Sequence, residues 1–120
     1  MASILVHLTC GPENPTKAAL AFLVGRSAAA EGHTVSLFLA GDAVQLLRDG
    51  VLGTLVGLGT GPLREHYDAI VEAGGRFYLS GMSSKARGLD AEAVAGKPVE
   101  IAMPDVLVRL ALEHDRIFTY

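Results

Sequence analysis

Cys10 carries the only thiol in the 120-residue chain. It closes the apolar run Ile4-Leu5-Val6-His7-Leu8-Thr9, just before Gly11-Pro12, and Lys17 follows in the first turn of the expected next helix. A thiol beside a helix N-terminus and a cation gains thiolate character, the form that attacks sulfur electrophiles. Packed at a strand edge, the same cysteine is simply a small apolar filler. Lys17 falls near the third helical position, where the macrodipole disfavours a cation unless an anion lies close. Glu13 or an anionic ligand would supply that anion; otherwise Lys17 is a solvated surface lysine.

A second concentration of chemistry is Ser80, Ser83, Ser84, Lys85 and Arg87. Small residues expose backbone N–H groups, hydroxyls add donors and two cations supply field, which suits sulfate or phosphate. The same serines equally suit capping a short helix. Asp42, after Ala40-Gly41, marks a third polar turn. The histidines add less. His7 interrupts an apolar run as a core or interface residue would, His33 and His114 sit where helices end, and His66 could face an interface. No two of them have metal-ligand spacing within one element, so no metal is expected. Gly57-x-Gly59-x-Gly61 lacks both the strand–helix setting of a dinucleotide fingerprint and the Gly-Lys-Ser/Thr of a P-loop, so no nucleotide cofactor is expected. Gly-x-Ser-x-Gly is absent too.

Elements that alternate in type must position these groups. Ile4–Thr9, Thr34–Leu39, Arg76–Ser80, Val99–Ala102 and Arg116–Thr119 read as strands, the first two apolar enough to be covered on both faces. Helices are expected from Thr16 to Glu31, with Asn14 as cap and Pro15 at the first position, from Ala43 to Asp49 with Asp42 as cap, and from Leu63 to Ala73. A weak one is expected near Asp90–Ala95, and another from Pro104 to Glu113. Gly81–Gly88 reads as a polar turn, and Val51–Gly61 has no assignable local structure. The alternation predicts an α/β fold, a three-layer α/β/α sandwich around a five-stranded, mainly parallel sheet. Ligands collect outside the carboxyl ends of such a sheet. The loops Thr9-Cys10-Gly11, Ala40-Gly41-Asp42 and Ser80–Arg87 all fall there.

Composition bounds the rest. The length and the absence of linkers or repeats predict one domain over residues 1–120. With 10 Lys+Arg, 13 Asp+Glu and a net charge of -3, nucleic acid is not an expected partner. No apolar run is long enough to cross a membrane, and Met1-Ala2-Ser3-Ile4 lacks a basic leader, so a cytoplasmic protein is expected. A mean hydropathy of +0.36 is high for a chain this small, which predicts burial of apolar surface between copies. The segment Val51–Gly59 is the expected site of that contact.

The Thr-x-Gly-Pro-Glu turn after the first strand, the Asn14-Pro15 helix start and His33–Asp42 together resemble the start of the DsrE-like family. The closest resemblance is Leu63-Arg64-Glu65 through Gly74-Gly75-Arg76-Phe77-Tyr78-Leu79 into Ser83-Ser84-Lys85-Ala86-Arg87-Gly88, and the likeness extends over essentially the whole chain. It implies the sandwich just described, assembled as trimers or hexamers, and relatives such as the TusD-like proteins relay sulfur as a cysteine persulfide. Many relatives carry Cys-x-x-Cys in the loop after the strand matching Phe77–Ser80; here the matching positions are Ser80 and Ser83. A serine oxygen cannot hold a persulfide, so the resemblance implies a degenerate or non-catalytic member. That member would bind a small anion or a partner protein of a sulfur-relay-like pathway, or act as a scaffold with no ligand site. If the chain is active, it is a sulfur carrier of the sulfurtransferase type, with Cys10 its one available thiol.

Overall fold

The computed structural model describes residues 1–120. Five strands form one parallel sheet: β1 (Ser3–Leu8), β2 (Thr34–Leu39), β5 (Arg76–Ser80), β6 (Val99–Ala102) and β7 (Arg116–Thr119), in the order β6-β5-β2-β1-β7. The central strands are apolar on both faces because both faces are covered. Ile4, Val6, Leu8, Val35, Leu37, Leu39, Phe77 and Leu79 point into a core of 22 buried residues. The alternate residues Leu5, Phe38 and Tyr78 belong to a second core of five.

The larger core is closed by α1 (Pro15–Ala30) and α3 (Leu63–Glu72). Asn14 caps α1 by accepting from the Lys17 N–H at 3.2 Å, Pro15 takes the first position, and Gly32 turns the chain out at φ 90°. The smaller core is closed by α5 (Pro104–Glu113), through Leu110 with Val106, Leu107 and Ala111. Helices on both faces of an all-parallel sheet are the three layers read from the sequence.

Three segments differ from that reading. Gly41–Leu47 is a 3₁₀ helix, and the only α-helical turn nearby is α2 (Asp49–Leu52), whereas one α-helix over Ala43–Asp49 is expected. Asp42 does not cap it; Ala40 holds that position without a side-chain bond, and Asp42 faces Arg87 instead. Gly81–Ala86, expected as a turn, is the short helix α4, capped by Ser80, whose Oγ accepts from the Ser83 N–H. The unassigned stretch holds a hairpin, β3 (Val56–Gly57) with β4 (Gly61–Pro62), pinned to α1 by Thr16. The Thr16 hydroxyl accepts from the Leu58 N–H at 3.0 Å, and its carbonyl accepts from the Thr60 hydroxyl at 3.1 Å. His66 is also placed differently. It is 4% exposed and faces inward, its Nε2 donating to the Thr60 carbonyl at 2.6 Å while Nδ1 accepts from Arg26 at 3.3 Å.

Candidate functional site

Strands β1, β2 and β5 are adjacent and parallel, so the loops leaving their carboxyl ends are neighbours. Each of those loops carries a glycine: Gly11, Gly41 and Gly81. A Cβ on Gly11 would lie 2.1 Å from the Asp42 carbonyl oxygen, so only glycine permits this approach of the first loop to the second. Gly41, at φ 57°, turns its N–H onto the Ser83 hydroxyl, which accepts at 2.8 Å and ties the second loop to the third.

Charge reinforces the contact. Arg87 Nε pairs with Asp42 at 3.0 Å, and its Nη1 donates to the Ser83 carbonyl at 3.2 Å. Arg48, which the sequence reading did not single out, donates from Nη2 to the Arg87 carbonyl at 3.1 Å. Arg87, Asp42, Ser83 and Ser80 are therefore joined in one network across β2 and β5. Ser84 is 3% exposed beside them, and its Oγ has no hydrogen-bond partner. Lys85 is exposed on the outer side of α4.

Cys10 and Lys17 lie on the first loop and the helix after it. Glu13 does not pair with Lys17; its carboxylate accepts from the Gly11 N–H at 2.8 Å. Burial is the largest influence on Cys10 and raises the thiol above its ordinary range; Lys17 opposes this and Glu13 adds to it. The helix start and cation that favour thiolate are thus outweighed by desolvation, and the thiol stays protonated at neutral pH. No three His, Cys, Asp or Glu side chains come together in a way that could hold a metal ion.

Gly41 and Arg48 were missed for different reasons. A glycine within three residues of the end of each of three strands in one sheet was a readable signal. Arg48 had none, because its contact depends on β2 and β5 being neighbours.

The geometry defines a doubly wound α/β protein whose three central carboxyl-edge loops lie against one another, the second and third joined by hydrogen bonds and an ion pair. More particularly, the chain belongs to the DsrE/DsrF-like family, which it matches over residues 2–120. Its fold is similar to that of the ychN protein from E. coli, with a TM-score of 0.79, 20% identity and complete coverage of both chains. It is similar also to a conserved protein of unknown function from Bacteroides thetaiotaomicron, with a TM-score of 0.72, 10% identity and coverage of 99% and 95%. A third similar structure, a protein of unknown function from Methanobacterium thermoautotrophicum, has a TM-score of 0.71 and 14% identity with both chains fully covered. No curated protein matches the chain. No helix is long and apolar enough to cross a membrane.

Proposed function

We propose that this chain is a DsrE-family member that does not relay sulfur through α4 and instead recognises a partner protein with the surface its carboxyl-edge loops form. The observation that carries this reading is the state of Ser83. Its hydroxyl stands where a relay thiol is expected from the resemblance, and it is held by the Gly41 N–H at 2.8 Å. Persulfide relay needs a thiolate that attacks a donor sulfur and releases it onward. An alcohol is barely ionised at neutral pH and forms no such carrier.

The main cation of the site is also committed, since Arg87 answers Asp42. That leaves a closed surface flanked by Lys85, Met82 and Met103, the last two 60% and 49% exposed. Apolar groups beside a lysine suit a protein partner with an apolar, acidic patch. A small anion is the second reading, favoured by the unpartnered Ser84 hydroxyl. A cytoplasmic setting accords with one cysteine left free. Assembly as a trimer, or as a hexamer built from two trimers, would cover the hairpin tip, where Val56 and Leu58 are 59% and 88% exposed.

Incubation with a small-molecule persulfide donor followed by intact-mass measurement tests the central claim. Wild type should gain no sulfur, or gain it on Cys10 alone, so that Cys10→Ala abolishes it. Sulfur loading of the Cys10→Ala protein would overturn the reading.

A further inference from the structure

Helix α5 covers its face of the sheet alone and leaves a groove of about 300 Å³ between itself and strands β1 and β7. Six of the eight side chains that line it are apolar, and none is charged. Val108 and Leu112, 59% and 82% exposed, line its α5 wall, and Ile117, 44% exposed, faces them. The register of β1 with β7 orders the floor. Leu5 pairs with Ile117 and, one step along both strands, His7 pairs with Thr119. One end of the floor is therefore apolar. The other carries an imidazole and a hydroxyl on neighbouring strands, whose backbones lie about 5 Å apart.

That imidazole is unspent. Burial is the only influence on its affinity for a proton, so neither a charge nor a hydrogen bond from the protein answers it. Burial favours the neutral ring, which offers one donor and one acceptor. An edge-on contact with Phe38 at 6.0 Å steadies it.

We propose that this groove binds a small, uncharged, amphipathic molecule: an apolar body about the size of one ring, carrying one hydroxyl. An ionic ligand would leave water for walls that hold no counter-charge. A peptide segment would bring an N–H and a C=O at every residue. The groove has no backbone to meet them, because β1 is bonded along both edges, to β2 and β7, and α5 bonds within itself. A wholly apolar molecule would bury the imidazole and the threonine hydroxyl without partners. A ligand hydroxyl seated between His7 and Thr119 instead donates to the unprotonated ring nitrogen and accepts from the threonine. Its body then lies over Leu5 and Ile117 and covers Leu112. The volume is at the small end for ligand sites, which limits that body to about one ring. The groove shares no residue with α4 or the three carboxyl-edge loops, so this inference stands or falls independently of the proposed function.

The test compares phenol with toluene, two probes of one shape that differ by the hydroxyl. Binding is followed through the methyl resonances of Leu112 and Ile117, with circular dichroism to confirm that each variant folds. Wild type should show a saturable shift of both methyl groups and hold phenol on the order of tenfold more tightly than toluene. Thr119→Val, which keeps the side chain's shape at an exposed strand end, should cut phenol's advantage severalfold and leave toluene unchanged. His7→Leu should erase the advantage. Absence of a saturable shift in wild type overturns the site. Equal affinity of wild type for the two probes, or an advantage for phenol that survives both substitutions, overturns the assignment of His7 and Thr119 as the hydroxyl's partners.

Discussion

The two faces of the sheet are built to different depths. On one, α1, α3, the 3₁₀ helix and the hairpin seal 22 buried residues, and the rings of Phe22, Tyr67 and Phe77 lie against one another at 5.1 and 5.7 Å. On the other, ten residues of α5 close a core of five, and a histidine half-emerges at its edge. The deep face is complete within one copy. The shallow face is finished only if something covers it. The chain thus places most of its apolar residues on one face and leaves Val108, Leu112 and Ile117 exposed on the other.

The comparison predicts unequal costs for equivalent damage. Phe77→Ala, in the middle of the deep face, should cost about 3–5 kcal/mol, measured as a shift in the urea midpoint. Gly11→Ala should cost about 3 kcal/mol, because the new methyl meets the Asp42 backbone rather than a flexible side chain. Leu110→Ala, the closing residue of the shallow face, should cost about 2 kcal/mol, since a thin layer relaxes more readily around a void. Equal costs for Leu110→Ala and Phe77→Ala would dissolve the distinction between the faces.

How far these faces were legible follows from what each element depends on. β1 and β2 announced themselves because a strand covered on both sides reads as a near-continuous apolar run, broken inside only by His7 in one and Ser36 in the other. α5 was read residue for residue from Pro104 to Glu113, its apolar stripe and starting proline being local signals. α4 was not, because its helicity rests on one bond from the Ser83 N–H to Ser80 and on no amphipathic pattern. The hairpin at Val56–Pro62 owes its shape to Thr16, some forty residues earlier, so nothing within the segment encodes it. For the candidate site, the parallel-sheet rule named three loops that the structure brings side by side. The bonds Gly41–Ser83 and Asp42–Arg87 needed the strand order, which no residue in either loop carries.

The smallest predicted effect sharpens the comparison most. His7 stacks edge-on against Phe38 at 6.0 Å, and burial holds its imidazole below the ordinary histidine range. A histidine that is harder to protonate when folded makes the unfolded chain the better proton acceptor at mildly acid pH. Its contribution is therefore fully present above the unfolded value, about 6.5, and is lost as pH falls through the lower folded value. Stability should decline gently below that point, and His7→Leu should flatten this part of the profile. A profile that His7→Leu leaves unchanged would mean that folding makes the His7 ring no harder to protonate, and that the shallow face gives it no real cover.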